Sequence, residues 1–207
     1  MSINRSTFWA LVASMALVVV SSNILVQFLL GNWLTWAAFT YPIAFLITDI
    51  TNRLLGASTA RKVVLYGFIA GVFCSLVASQ LTNADGFPLT TFRIALGSGL
   101  AFLVAQLTDV YVFSKLREKK WWKAPVVSSL FGSVIDTTIF FTVAFAIMFT
   151  FLEPGNDVSW ANEILPLLGV GPVLPLWVSL AFADFLVKLS MILLSLVPFR
   201  YLTKTEV

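Results

Sequence analysis

Six apolar runs, each long enough to cross a lipid bilayer, dictate what this chain can be. A helix needs about 20 mainly apolar residues to span a hydrocarbon core of roughly 30 Å. The runs are Phe8 to Leu30, Trp33 to Leu55, Val63 to Leu81, Leu89 to Phe113, Pro125 to Leu152 and Val173 to Val197. Lipid offers backbone N–H and C=O groups no partner, so each run must satisfy its own as a helix. The expected fold is therefore all-α, a polytopic membrane protein with six transmembrane helices forming a single domain over residues 1–207. The longest connection, Glu153 to Pro172, has 20 residues and leaves no room for a separate soluble domain. Composition agrees. Only 11% of residues are charged, and mean hydropathy is +0.94, whereas a soluble domain carries about 25% charged residues.

The first run follows Arg5, as the apolar core of a signal peptide would. It exceeds the usual length of about 7 to 15 residues and ends in Gln27-Phe28-Leu29-Leu30, without a small-residue cleavage site. It is read as a retained helix.

The basic residues set an orientation. Arg5, Arg53, Arg61, Lys62, Lys115, Arg117, Lys119, Lys120, Lys123, Arg200 and Lys204 all fall on one side of a six-crossing layout. The opposite loops hold no Lys or Arg but carry Asp85, Glu153, Asp157 and Glu163. The positive-inside rule then predicts N-in and C-in. Because the bases flank spans, the pI near 9.2 reports orientation, and no nucleic-acid partner is expected. Trp33 and Trp36 on one side and Lys120-Trp121-Trp122-Lys123 on the other read as interfacial anchors. Ile164 to Val170 is apolar but too short to span, and an interfacial or re-entrant turn is expected there.

Several kinds of chemistry are excluded. With no histidine and the single cysteine Cys74, neither imidazole-based catalysis nor a disulfide or Cys/His metal motif can be written. There is no G-x-x-x-x-G-K-[ST] to hold ATP. No catalytic residue, metal or cofactor is expected.

What remains informative is the polarity placed inside the spans. Asp49, Asp109, Asp136 and Asp184 each cost roughly 2.5 to 3.5 kcal/mol at the bilayer centre, less toward an interface. Asp136 and Asp184 fall near the midplane; Asp49 and Asp109 fall near the inner helix ends, within reach of water or loop cations. Asp49 with Arg53 and Asp184 with Lys188 are spaced i,i+4 and can neutralise themselves. An ion pair near the midplane has a desolvation cost that apolar packing avoids, which favours a functional role for Asp184 and Lys188. Asn23 and Gln27 share a face of the first span, with Asn23 at midplane depth beside Ser21 and Ser22. Gln80 and Gln106 suit interhelical hydrogen bonds. Asp49, Arg53, Arg93, Gln106 and Asp109 are assigned to gating or structural charge. A faint internal echo pairs Phe45-Leu46-Ile47-Thr48-Asp49 with Val104-Ala105-Gln106-Leu107-Thr108-Asp109.

At these residues the chain resembles the queuosine precursor transporters of the vitamin uptake transporter family. The resemblance rests on Ser21-Ser22-Asn23 with Leu25-Val26-Gln27, Thr35-Trp36 with Phe39 and Pro42, and Thr48-Asp49 with Arg53, Gly56-Ala57 and Ala60-Arg61. It continues through Asp109-Val110, Leu116-Arg117, Trp121-Trp122, Ala124-Pro125, Leu130-Phe131-Gly132, Asp136-Thr137 and the Asp184 to Lys188 pair. The family pattern often has Asn where this chain has Ser133. The resemblance implies an inner-membrane importer of 7-deazaguanine bases such as preQ0 and preQ1, used in tRNA modification. It does not decide between a homo-oligomer and an energising partner subunit.

A guanine-like base presents adjacent ring N–H and NH2 donors, a carbonyl and a flat aromatic face. Asp136 or Asp184 is expected to accept the donor edge and Asn23 and Gln27 to supply amide contacts. Trp36, Phe39 or Tyr41 would form a stacking wall, with Lys188 holding the carboxylate charged until substrate arrives. The alternatives are a transporter of the same fold for another vitamin or nucleobase, a non-transporting scaffold, and an intramembrane aspartyl enzyme. The last lacks its G-x-G-D signature.

Overall fold

The computed structural model describes residues 5–84 and 86–204. Asp85, placed above in an outer loop, lies outside the described residues. Among the described residues, five helices are long and apolar enough to cross a membrane. They are α1 (Arg5–Leu25), α4 (Ala57–Ala78), α5 (Phe92–Leu116), α6 (Lys123–Phe145) and α7 (Leu176–Leu202).

The second run is not the continuous helix expected over 33–55. It opens in an antiparallel hairpin, β1 (Leu29–Leu30) with β2 (Leu34–Thr35), passes through the single turn α2 (Ala37–Thr40), breaks at Tyr41-Pro42, and resumes as α3 (Ile43–Leu55). Proline has no N–H to continue the ladder of the preceding turn. The 13 residues of α3 rise only about 20 Å at 1.5 Å per residue, too short to cross alone. Broken spans of this kind are a recurring feature of transporter binding sites.

Short α3 is nonetheless the centre of the bundle. Nearly every side chain from Ala44 to Arg53 is buried, including Thr48, Asp49, Thr51 and Asn52. An element enclosed on all sides need not be amphipathic, and its polar groups must find partners within the protein. Thr48 donates to Gln106 Oε1 at 2.6 Å, and Asn52 donates to the Val110 carbonyl at 3.0 Å, tying α3 to α5. Phe45 lies so close to Gly132 of α6 that a Cβ there would stand 2.5 Å from the ring. Gly56, at φ +82°, makes the abrupt turn from α3 into α4 that other residues adopt only with strain.

The outer helices carry the opposite pattern. Leu17 of α1, Phe73 of α4 and Leu193, Leu194 and Val197 of α7 are all largely exposed. So continuous an apolar surface on a monomer suits lipid and not water.

The charges separate to two ends. At the basic end, Arg53 Nη1 donates to the Arg117 carbonyl at 2.9 Å while Arg117 donates back to the Arg53 carbonyl, clasping α3 to α5. Arg53 also lies over the Phe113 and Phe199 rings, and Arg200 lies 4.9 Å from the Trp121 ring centroid. At the acidic end, Glu153 accepts the backbone N–H groups of Phe92 and Arg93 at the start of α5. The fully buried Arg93 returns the favour to the end of α6, donating Nε to the Val143 carbonyl at 3.1 Å and Nη2 to the Ala146 carbonyl at 2.7 Å. Arg93 is thus a clamp between helix ends.

The apolar stretch at Ile164 forms a second hairpin, β3 (Ile164–Pro166) with β4 (Val173–Pro175), closed by a 3₁₀ turn at Leu167–Gly169. The fold is therefore mainly helical, with two small hairpins at the acidic end that the all-α expectation did not include.

Candidate polar site in the helix bundle

Midway along α6 and α7 an ammonium group is held by three oxygens. Lys188 Nζ lies 2.7 Å from Asp136 Oδ2 and 2.9 Å from Thr137 Oγ1, and it also contacts Asp184 Oδ2. An ammonium has three hydrogens, and all three are used. Thr137 Oγ1 in turn donates to Asp184 Oδ2 at 3.0 Å. Lys188 and Asp136 are 3% and 4% exposed, while Asp184 is only half-buried. Their two contacts with Lys188 are the only salt bridges among the described residues.

Two features of this cluster matter chemically. One ammonium faces two carboxylates, so the group has an excess of acceptor capacity and of negative charge. Lys188 also engages only the Oδ2 atom of each acid, which leaves both Oδ1 atoms to accept from a ligand. Tyr41, at the break between α2 and α3, adds its phenol to the same neighbourhood. Its hydroxyl is beside Ser98 and within electrostatic reach of Asp136 and Asp184, and its ring packs edge-on against Phe102 at 6.1 Å. Tyr41 and Asn23 line one narrow crevice between α1, α4 and α5, together with Phe68, Ser98 and Phe102.

The structure thus brings together Asp136, Asp184, Lys188 and Tyr41, with Asn23 along the adjoining crevice. Other expectations come out differently. Helix α1 ends at Leu25, which puts Asn23 in its last turn and not at midplane depth; its amide donates to the Val19 carbonyl at 2.9 Å. Gln27 lies beyond the helix and reaches the Leu89 carbonyl at 3.1 Å. Trp36 and Phe39 pack on each other with ring centroids 6.2 Å apart, and both are exposed. Asp49 and Arg53 do not pair. Arg53 is occupied by the Arg117 carbonyl and two rings, and Asp49 takes Ser128 and Ser129 hydroxyls at 3.2 Å each. Asp49 and Asp109 are both buried, and only a narrow crevice reaches Asp49.

Ser98, Ser128 and Ser129 escaped the sequence reading, and Thr137 entered it only within the Asp136-Thr137 motif. A signal existed: Ser129, Ser133 and Asp136 repeat at i, i+4, i+7 and so line one face of α6.

A multi-pass helical membrane protein with a broken span, and with an ion-paired cluster buried halfway along its helices, has the build of a small-solute transporter. The chain belongs to the vitamin uptake transporter family. The family profile described as "Putative vitamin uptake transporter" matches residues 35–203. Over 154 residues the chain is 40% identical to the "Queuosine precursor transporter" of Escherichia coli (strain K12), covering 68% of this chain and 69% of that protein. It is 36% identical over 174 residues to the "Probable queuosine precursor transporter" of Haemophilus influenzae (strain ATCC 51907 / DSM 11121 / KW20 / Rd), covering 79% of this chain and 66% of the relative. A Bacillus subtilis (strain 168) protein with the same description is 29% identical over 194 residues, 85% of this chain and 74% of that one. The chain thus spans about two thirds of the length of the first two relatives. No solved structure matches it.

Proposed function

We propose that this protein is an inner-membrane importer of queuosine precursors, the 7-deazaguanine bases preQ0 and preQ1, with six crossings and both termini inside. The observation that carries the reading is the buried arrangement of Asp136 and Asp184 around Lys188. The free carboxylate oxygens suit the adjacent ring N–H and NH2 donors of a guanine-like edge. The excess negative charge suits the aminomethyl cation of preQ1. Tyr41 supplies an aromatic ring in the neighbourhood of the acids, and base–aromatic stacking contributes about 1–3 kcal/mol per base. The relatives' descriptions support the substrate class.

The crevice beside Tyr41 has room for about one water. A base therefore enters when α1, α4 and α5 part, and the conformation described here is a closed one. Lys188 holds Asp184 in place until the substrate's donors compete for it.

Uptake of labelled preQ1 by cells expressing Asp184→Asn, at membrane levels matched to wild type, is expected to fall tenfold or more. The substitution replaces an acceptor oxygen by an NH2 donor that opposes the donors of the base. Uptake equal to wild type would remove Asp184 from the site.

A further inference from the structure

The sequence echo at Thr48-Asp49 and Thr108-Asp109 has a spatial counterpart. Helices α3 and α5 pack together and bring the two aspartates to the same serine hydroxyl of α6. Ser129 of α6 bridges them, its hydroxyl 3.2 Å from Asp49 Oδ2 and 3.5 Å from Asp109 Oδ1; Ser128 lies 3.2 Å from Asp49 Oδ1. Asp49 is 2% and Asp109 0% exposed. Asp109 Oδ2 has no hydrogen-bond partner, and neither does Nε2 of the fully buried Gln106, one turn earlier on α5.

Among the described residues no cation forms a salt bridge with this pair. On α3, Arg53 is directed to the Arg117 carbonyl and the Phe113 and Phe199 rings; on α5, Arg117 is directed to the Arg53 carbonyl. On α4, Arg61 and Lys62 are exposed. On α6, Lys123 starts the helix and is exposed, and Asp136 is taken by Lys188. On α7, Lys188 also holds Asp184, and Arg200 lies over Trp121. Two buried carboxylates bridged by one hydroxyl and without a base repel if both are ionised, and a single proton bound by the pair relieves the repulsion.

We propose that the Asp49–Asp109 pair is the proton-binding site that couples this transporter to a proton gradient. The inference rests on the transporter reading above but concerns different residues. A proton passes from hydronium on the side of higher proton concentration to a carboxylate oxygen of the pair, leaving water. On the opposite side it passes back to water, regenerating the carboxylate. No electrons are transferred. A crevice with room for about one water reaches Asp49 and Ser129 between Pro42, Phe45, Pro125 and Ser195, and gives the proton a path.

Helix α6 connects the proton pair to the substrate cluster. Ser129 touches the pair, Asp136 touches Lys188, and the buried Ser133, whose hydroxyl has no partner, lies between them on the same face. Seven residues separate the two points, about 10 Å along the helix. A shift of α6 against α3 and α5 on protonation therefore also displaces Asp136.

The test uses purified wild-type protein in liposomes containing a trapped pH dye. With the exterior acidic, added preQ1 should acidify the lumen, and labelled preQ1 should accumulate at least tenfold more than at equal pH. An imposed sodium gradient should have no effect. Asp109→Asn, a near-isosteric replacement, should lose the response to the pH gradient, with monodisperse elution as its fold control. Wild type that exchanges preQ1 across the liposome membrane without moving protons overturns the coupling inference and spares the substrate reading. Sodium-driven accumulation overturns it likewise, as does an Asp109→Asn variant with the full pH response. Wild type that neither binds nor exchanges preQ1 overturns the substrate reading, while a proton flux elicited by another base or vitamin would still support the coupling site. If Asp109→Asn does not fold, the wild-type proton flux decides.

Discussion

Replacing Lys188 by methionine is expected to abolish uptake, by a hundredfold or more, and to lower stability by about 3–5 kcal/mol, the usual penalty for removing one partner of a buried ion pair. The ammonium is 3% exposed and has no reserve of water. Its loss leaves Asp136 and Asp184 close together without a cation, and it leaves Thr137 with no ammonium to accept from. Methionine keeps the length and the apolar stem, so the effect isolates the charge. The triple variant Lys188→Met with Asp136→Asn and Asp184→Asn should recover most of the stability, since no unpaired charge remains, yet stay inactive. Thermal unfolding in detergent and labelled preQ1 uptake at matched expression separate the two effects. A Lys188→Met protein of normal stability and normal uptake would mean that the cluster neither holds the bundle together nor binds substrate.

The second large effect is expected at Arg93, and there it should be structural. The guanidinium is fully buried and its two hydrogen bonds satisfy the Val143 and Ala146 carbonyls at the end of α6. Arg93→Met leaves both acceptors without a donor in a site closed to water. A buried unsatisfied group costs about 1–3 kcal/mol, so a loss of about 2–5 kcal/mol is expected. Arg93→Lys, which can reach one carbonyl but not both in the planar fork geometry, should fall between. The measure is the unfolding midpoint together with preQ1 affinity of the folded fraction. A variant with unchanged midpoint and lost affinity would place Arg93 in the binding site and not in a clamp.

The sequence carried the membrane character plainly, because lipid leaves the backbone few solutions and apolar run length reports it directly. It carried less about where a run stops being one helix. Pro42 was visible as a residue without a donor, but the hairpin at Leu29–Thr35 depends on cross-strand pairing, which run length does not encode. The site was half legible for a similar reason. Spacing of i,i+4 permits a pair and does not require one: Asp184 and Lys188 use it, whereas Asp49 and Arg53 do not. The difference lies in neighbours far along the chain. Arg53 finds a carbonyl and two rings at the basic end, while Asp49 finds two serines and Asp109. Asp136 joins Lys188 across 52 positions, a contact that only the packing of α6 on α7 creates. Neutral partners such as Thr137 and Ser129 draw no attention in a sequence where serine and threonine are common, and they become recognisable once their helix face is known to be buried.

The central claim is that this family member moves 7-deazaguanine bases through the Asp136–Lys188–Asp184 cluster. Competition during uptake of labelled preQ1 into liposomes containing the purified wild-type protein tests it most directly. The account predicts that excess unlabelled preQ1 or preQ0 blocks uptake and that an unrelated vitamin does not. Uptake blocked by a vitamin and indifferent to both deazaguanines, or no uptake of preQ1 by folded protein, would contradict it.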